Sequence, residues 1–281
     1  MIIFNVLTME KRKTKSKKDQ VIEQLFKFCK QQNNFVFHND IVKEFSEKVG
    51  WGNPFDATKL DNKTKLPNIL IENDYAIIHL GNGFHKFIKG INKVYHDFES
   101  IQNQIDWKYK KSLLNQYNTS ESNILSVANN QRILHHFLFG EDKEFDNVDV
   151  LKRPKTYFPH RTKTTFEYYF GKERIELEKI QIEVDLTIEY QGNIGIFECK
   201  NGKPDSFNIY QIYHPFLYYY NANKQIELKG KIKNIFCVYV VRQKCKENDI
   251  IKLWAYTFEN PLDITTIKFI KSVSYKLINI N

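Results

Sequence analysis

Residues 182–200 read IEVDLTIEYQGNIGIFECK, and they have the pattern of two β-strands joined by a tight turn. Residues 182–188 and 194–200 are mostly apolar and rich in Ile, which favours strands. The residues between them, Tyr190-Gln191-Gly192-Asn193, have the composition of a hairpin turn. The segment therefore predicts a β-hairpin built from two largely apolar strands.

Four charged side chains interrupt these strands: Glu183, Asp185, Glu198 and Lys200. Twelve residues separate Asp185 from Glu198, and Lys200 follows two positions later. Charges on buried strands are costly unless they are paired or bound to metal. Because side chains alternate across a strand, Glu198 and Lys200 share one face, and the hairpin can bring Asp185 to that face. Glu183 has the same parity as Asp185, so it is either a third acid of this group or an exposed strand residue.

Two carboxylates and an ammonium at one point suit Mg²⁺-assisted hydrolysis of a phosphodiester. Mg²⁺ prefers hard oxygen ligands, which Asp185, Glu198 and the backbone carbonyl of Cys199 can supply. The metal activates a water and neutralises charge on the phosphate. Lys200 either helps to position or deprotonate the water or stabilises developing charge, and both roles stay open. The alternative is that these residues are salt-bridge partners on an edge hairpin.

The arrangement Asp185 … Glu198-Cys199-Lys200 resembles that of the PD-(D/E)XK nuclease superfamily, and within it the type II restriction endonucleases. In that family a helix follows the Lys-bearing strand and often has a Gln near its start, where this chain has Gln211. The chain departs from the family name at one point, because Val184 stands where the name has Pro. The resemblance covers roughly residues 121–241.

The resemblance implies an α/β (α+β) fold with a restriction-endonuclease-like core, in which helices flank a mixed β-sheet. It implies that Asp185, Glu198 and the Cys199 carbonyl hold Mg²⁺, with Lys200 and Gln211 completing the catalytic group. Related nucleases often begin the catalytic domain with a helix whose Glu reaches the metal. Glu121, after a possible Ser120 cap, is the candidate here, and the alternative is that it only stabilises the first helical turn.

Residues 20–92 read as a separate winged-helix-like domain. Helical spacing of apolar residues predicts two helices before Gly50 and a third within residues 56–72. Residues 75–80 and 84–89 predict a hairpin, the wing. In winged-helix proteins the third helix enters a DNA groove while the wing touches the backbone. The expected DNA contacts are Lys59, Asn62, Lys63 and Lys65 near the groove and His85 and Lys86 near the wing. The alternative is a packing or dimerisation domain.

The rest of the chain completes the predicted organisation. Residues 1–19 are expected to be a basic, disordered tail, with residues 1–8 a possible upstream mis-start before Met9. Residues 93–118 are expected to be a partly helical connector, and residues 119–281 the nuclease domain. Arg161 and Lys163 precede the catalytic hairpin and could lie along DNA, or their segment could be a hairpin that extends the sheet.

Composition agrees with a nucleic-acid partner. The chain has 42 Lys and Arg against 33 Asp and Glu, a formal net charge of +9 that favours a polyanion. The four cysteines have no metal-ligand spacing and suggest no disulfide framework, so we expect a reducing cytoplasm. No apolar run approaches the length of a membrane span.

The sequence therefore predicts a type II restriction endonuclease that hydrolyses double-stranded DNA with Mg²⁺. Cutting both strands of a symmetric site requires two active sites, so we expect a homodimer. Such an enzyme also implies a cognate DNA methyltransferase as its functional partner. Three alternatives stay open: a modification-dependent or repair nuclease of the same fold, a catalytically inactive winged-helix regulator, and an interaction protein without a DNA partner.

Overall fold

A computed structural model describes residues 15–113, 120–140, 149–202, 204–245 and 248–280, and it has an α+β architecture. The first part of the chain combines short helices with a three-stranded antiparallel sheet of order β1-β3-β2. Its elements are α1 (Lys17–Gln31), β1 (Val36–His38), α2 (Asn39–Val49), α3 (Pro54–Ala57), α4 (Asn68–Asn73), β2 (Tyr75–Gly81) and β3 (Phe84–Lys89). The predicted wing hairpin is confirmed as β2 and β3.

The predicted third helix is wrong. The structure divides residues 56–72 among the end of α3, a 3₁₀ turn at Lys63–Lys65 and α4. Pro67 lies at the N-cap of α4, and a proline lacks the N–H needed to continue a helix from upstream. Asn62 caps the 3₁₀ turn by accepting from the backbone N–H of Lys65. Residues 56–72 therefore form no single long helix that could present a continuous face to a DNA groove.

The expected tail ends earlier than residue 19. Helix α1 begins at Lys17 because Ser16 and Asp19 form a reciprocal capping box that satisfies backbone donors of the first turn. Residues 1–14, including the possible start at Met9, lie outside the described residues.

A seven-stranded mixed sheet of order β5-β14-β13-β12-β10-β9-β6 forms the centre of the second part. The pairs β10/β12 and β14/β5 are parallel, and the other pairs are antiparallel. These strands are β5 (Gln104–Tyr109), β6 (Lys155–Tyr157), β9 (Leu186–Tyr190), β10 (Asn193–Asn201), β12 (Asn234–Gln243), β13 (Ile250–Phe258) and β14 (Ile267–Asn279). The predicted fold class, a mixed sheet flanked by helices, is confirmed.

Helices cover both faces of this sheet because its central strands are apolar on both sides. Helices α6 (Glu121–Asn130) and α7 (Ile133–Phe139) pack with Phe197 and Cys199 on one face. Helix α8 (Tyr210–Ala222), which connects β10 to β12 by way of β11, packs with Ile194 and Ile196 on the other. The smaller elements are α5 (Ile91–Val94), β4 (Tyr95–Asp97), β7 (His160–Phe170), β8 (Glu173–Val184), β11 (Ser206–Asn208) and 3₁₀ turns at Val150–Lys152 and Ile264–Thr266.

Part of the expected connector belongs to the central sheet instead. Residues 104–109 form the edge strand β5, parallel to β14. Ile105 and Trp107 pack toward the core and Tyr109 is buried, whereas the residues between them are exposed. This alternation of period two is a strand signal, and it outweighs the helical interpretation of the segment.

The two parts of the chain share one hydrophobic core. The same buried cluster includes Ile22 of α1, Phe87 of β3, Ile182 of β8 and Phe216 of α8. The hairpin β7–β8 does not extend the central sheet; it forms a two-stranded sheet of its own, and β2 packs against β8. Within the described ranges no helix is both long enough and apolar enough to cross a lipid bilayer.

Candidate active site

The predicted catalytic hairpin forms as β9 and β10. Gln191 and Gly192 make its two-residue turn, and both have positive φ, as tight hairpin turns require. Leu186 pairs with Phe197, so Asp185 comes next to Glu198 at the open end of the hairpin. Asp185 itself lies at the bend between β8 and β9, where its Oδ2 accepts from the backbone N–H of Cys199 over 2.9 Å.

Lys200 links the acids of the site. Its Nζ lies 2.7 Å from Glu198 Oε1 and 3.6 Å from Glu121 Oε2. Glu121 is in the first turn of α6, where Ser120 caps the helix by accepting from Asn123 N. Glu121 Oε1 also accepts from the backbone N–H of Asn201 over 3.3 Å. The helix that precedes the hairpin therefore does deliver a carboxylate to Lys200.

Helix α8 supplies the remaining predicted member of the group. Gln211 lies in its first turn, and its Nε2 is 3.5 Å from Glu198 Oε1, a long hydrogen bond. The Oε1 atom of Gln211 is buried and has no hydrogen-bond partner within the described part of the chain. The five residues predicted as catalytic thus meet at the end of β10.

Burial dominates the electrostatics of these groups. It raises the pKa of Glu198 to about 7, because the surroundings disfavour the charged carboxylate more than Lys200 stabilises it. Burial also raises the pKa of Asp185. For Lys200, burial acts to lower the pKa, but the neighbouring carboxylates outweigh it and the net change is upward. The Lys200 ammonium therefore stays charged, whereas the neighbouring carboxyl groups have too little positive charge around them to offset their burial.

These residues suit a hard cation such as Mg²⁺. Among the described residues no three His, Cys, Asp or Glu side chains are grouped so that they could hold a metal ion. Mg²⁺ commonly binds through one or two carboxylates and keeps waters or substrate phosphates as its other ligands. Asp185 and Glu198 supply two such carboxylates, and both are short of compensating charge, so the donor set fits Mg²⁺.

A cavity of about 560 Å³ opens above this group. The second part of the chain contributes the catalytic residues, together with Tyr210, His214 and apolar residues of β8. The first part contributes Lys59 and Asp61, which precede the 3₁₀ turn, and His79 of β2. The cavity is therefore lined by both parts of the chain.

Each of these two parts of the chain matches a sequence family. Residues 90–276, well over half of the chain, match the model described as domain of unknown function DUF6997. This chain belongs to the DUF6997 family. Residues 19–87 match a second model, domain of unknown function DUF6996. Neither a curated protein nor a solved structure matches the chain.

The DUF6997 region contains all five predicted catalytic residues, and also two of the predicted DNA contacts on β7. Arg161 forms an ion pair with Glu183, with Nε 3.0 Å from Oε1. Glu183 also accepts from Gln181 and is largely exposed at the cavity rim, so it is not bonded to the catalytic acids. Lys163 lies on the exposed face of β7.

In the DUF6996 region, most of the predicted DNA-binding lysines already have acidic partners. Lys63 Nζ is 2.7 Å from Asp97, and Lys65 Nζ is 2.6 Å from Asp61. Lys86 pairs with Glu173 of β8. The Nζ of Lys59 has no acidic partner among the described residues, and its side chain lines the cavity of the DUF6997 site.

His85 does not lie on a surface that could meet DNA. It is buried, its Nε2 is 2.7 Å from Asn39 Oδ1, and its Nδ1 is 2.7 Å from the Nδ1 of His79. Burial lowers the pKa of His85 to about 3, so the ring is neutral near pH 7. His85 therefore belongs to the packing between strands β2 and β3.

Four titratable residues of the cavity were not predicted to be functional: Asp61, His79, Tyr210 and His214. Asp61 and His79 reach the DUF6997 site only because the two parts of the chain pack together, and the sequence carries no signal for that. His214 lies one helical turn from Gln211, so the i, i+3 spacing on α8 could have indicated it.

Proposed function

We propose that this protein is a type II restriction endonuclease that hydrolyses phosphodiester bonds of double-stranded DNA with Mg²⁺. The observation that supports the proposal best is the convergence of Asp185, Glu198 and Lys200 with Gln211 and Glu121 at one end of β10. These residues were selected by spacing and family resemblance, and they come from four separate elements. A set of unrelated surface ion pairs would not be expected to gather around one buried carboxyl group.

The side chains have separate tasks in this proposal. Asp185 and Glu198 would hold Mg²⁺, which when bound supplies positive charge and activates water for attack on phosphorus. Lys200 holds its ammonium beside Glu198 and can stabilise negative charge that develops on the phosphate. Glu121 helps to fix Lys200, and Gln211 holds the orientation of Glu198. Glu198, with a pKa of about 7, can accept or release a proton near neutral pH.

The substrate and partners follow from charge and symmetry. A formal net charge of +9 favours a polyanion such as DNA. A symmetric duplex site presents two strands to be cut, so we propose a homodimer with one site on each strand. A host carrying such an enzyme needs a DNA methyltransferase that protects its own sites.

The test is cleavage of unmethylated phage DNA with Mg²⁺ or with EDTA, read on a gel. Lys200→Ala should abolish cleavage because it removes the ammonium beside Glu198. Lys229→Ala, at an exposed lysine outside the site, is the matched control and should cut like the wild type. Discrete fragments that require Mg²⁺ and Lys200 would support a site-specific nuclease.

Other outcomes of the same gel would contradict the proposal in different ways. A smear would indicate a nonspecific or repair nuclease that uses the same site. Intact DNA under all conditions would indicate a modification-dependent enzyme, which methylated DNA would reveal, or a catalytically inactive DNA-binding protein. Cleavage by Lys200→Ala at the wild-type rate would show that the site is assigned wrongly.

A further inference from the structure

The cavity continues beyond the catalytic group into a recess walled by rings from both parts of the chain. His79 of β2 meets Tyr210 of α8 edge to face, with ring centroids 5.6 Å apart. Tyr210 in turn stacks on His214, again at 5.6 Å and with an interplanar angle of 26°. All three line the cavity together with Gln211. We call this end of the cavity, formed by His79, Tyr210, Gln211 and His214, the inner recess.

Two buried polar atoms of the inner recess have no hydrogen-bond partner among the residues that the structure describes. They are Gln211 Oε1 and His214 Nε2, and they lie one turn apart on α8. His214 is only 6% exposed, so bulk water does not satisfy it. A buried polar group without a partner costs about 1–3 kcal/mol, and such groups commonly mark the position of a ligand or an ordered water.

The chemistry of these atoms restricts what the ligand can be. Gln211 Oε1 can only accept a hydrogen bond, and the amide nitrogen of the same side chain faces Glu198. A phosphodiester has acceptors but no donor, so it cannot satisfy this oxygen. The edge of a nucleobase carries both N–H donors and ring or carbonyl acceptors, so it can satisfy Gln211 Oε1 and either tautomer of His214.

A cation lies at the rim of the same cavity. Lys59 is exposed, lines the cavity and has no acidic partner among the described residues, unlike Lys63 and Lys65 beside it. Burial lowers the pKa of His79 to about 4, and the positive charge of Lys59 acts in the same direction. An ammonium at this position can bind the phosphate of a nucleotide whose base enters the recess.

We propose that the inner recess binds one nucleotide of the cleaved strand, with its base hydrogen-bonded by Gln211 and His214 and its phosphate held by Lys59. The base would leave the stack of the duplex and lie against the rings of His79 and Tyr210, as in enzymes that extrude a nucleotide. The inference rests on the proposed nuclease function, because it takes DNA to be the substrate. It makes Lys59 and His214 substrate-binding residues from two different parts of the chain.

The test is calorimetric binding of the four deoxynucleoside 5′-monophosphates and of inorganic phosphate to the full-length protein in EDTA. At least one nucleotide should bind about tenfold more tightly than phosphate, because only the base reaches Gln211 and His214. His214→Phe keeps the ring stacking and removes the nitrogen, so it should weaken that nucleotide about tenfold while the melting temperature stays the same or rises. Lys59→Ala should weaken nucleotide and phosphate binding about fivefold. Lys43→Ala, at an exposed lysine of α2 outside the cavity, is the matched control and should change neither.

Several results would overturn the proposal. Equal binding of phosphate and all nucleotides, no nucleotide binding at millimolar concentration, or wild-type affinity in both His214→Phe and Lys59→Ala would each do so. Lys59 is exposed, so its variant remains informative even if the buried His214→Phe variant does not fold. Because binding is measured without Mg²⁺, DNA cleavage without nucleotide binding would refute the recess alone. Nucleotide binding without cleavage would refute the nuclease instead.

Discussion

At the scale of single residues, the site is centred on the carboxyl group of Glu198. Glu198 is approached by Lys200 at 2.7 Å and Gln211 at 3.5 Å, yet burial still raises its pKa to about 7. A proton and a divalent cation would therefore compete for Glu198 near neutral pH. Both the stability of the protein and its affinity for Mg²⁺ should depend on pH through this residue.

Glu198→Gln should change how stability depends on pH. A raised carboxyl pKa means that the folded protein keeps a proton that the unfolded chain has released. The free energy of unfolding therefore falls as pH rises from about 4.5 to about 7 and stays lower above that range. Glu198→Gln has no carboxyl group to ionise at this position. Between pH 4 and pH 8 the free energy of unfolding of the wild type should therefore fall by roughly 3 kcal/mol more than that of the variant.

Urea unfolding at several pH values measures this difference. Glu47→Gln, at an exposed carboxylate on α2, is the control and should follow the wild type at every pH. Parallel curves for the wild type and Glu198→Gln would show that Glu198 ionises normally in the folded protein.

Removal of the metal should be visible without any cleavage assay. Mg²⁺ at about ten times its Kd should raise Tm by a few degrees, and EDTA should reverse the shift. The shift should be larger at pH 8 than at pH 6, because a proton on Glu198 excludes the cation. Asp185→Asn removes one of the two carboxylates and should abolish the shift at both pH values. An equal shift in Asp185→Asn would place the bound Mg²⁺ elsewhere.

The residues of the site were largely predictable, but their surroundings were not. Asp185, Glu198 and Lys200 follow from strand alternation and a two-residue turn, which are local rules. Lys59 was expected near a DNA groove and instead lines the catalytic cavity. Its position, like that of His79, depends on how two distant segments pack, and no local pattern encodes that contact.

At the scale of elements, the predictions succeeded where one local signal was strong. The helix α2, the hairpin β2–β3 and the hairpin β9–β10 were all expected from their patterns and are confirmed. The third helix failed because a single proline outweighed the apolar spacing around it. Strand β5 was missed although Ile105, Trp107 and Tyr109 alternate with polar residues, which is a local strand signal. Its partner β14 lies more than 150 residues away in the chain.

Gly81 allows the wing, hairpin β2–β3, to lie close against the hairpin β7–β8. A Cβ added at Gly81 would lie 2.0 Å from the backbone oxygen of Glu178, and Gly81 has a φ of +90°. Gly81→Ala should therefore destabilise the protein by about 2 kcal/mol or more, measured by urea unfolding, because it adds a backbone clash to the cost of a strained φ.

Two other glycines separate the clash from the strain. Gly171 has a φ of +64°, and an added Cβ there would lie in open space. Gly171→Ala should therefore lower the free energy of unfolding by only about 1 kcal/mol. Gly52→Ala has open space and no positive φ, and it should change stability little. If Gly81→Ala and Gly171→Ala cost the same, the close approach to Glu178 does not contribute.

At the scale of the whole molecule, the chain contains regions of two sequence families, and these regions share a hydrophobic core. Residues 19–87 and 90–276 match different families, yet buried side chains from both belong to one hydrophobic cluster. The sequence predicted two domains because residues 20–92 have the helix and hairpin pattern of a separate winged-helix-like domain. It could not predict the shared core, since apolar residues at an interface look the same as those inside a domain.

The shared core predicts a single cooperative unfolding transition. Scanning calorimetry of the full chain should give one peak in which the calorimetric and van't Hoff enthalpies agree. Loss of helix and loss of near-ultraviolet tyrosine signal should coincide at the same temperature. Two resolved peaks would mean that the regions matched by the two families unfold independently.

The contact between Gly81 and Glu178 has a geometric consequence for the nuclease proposed above. A wing joined to β8 by close backbone contact, and to Glu173 by Lys86, cannot swing relative to the bend that carries Asp185. The distance from the wing to the scissile phosphate is then constant. The proposed nuclease would then break each strand at a constant number of base pairs from the DNA that the first part of the chain contacts, and it would not tolerate spacers of variable length.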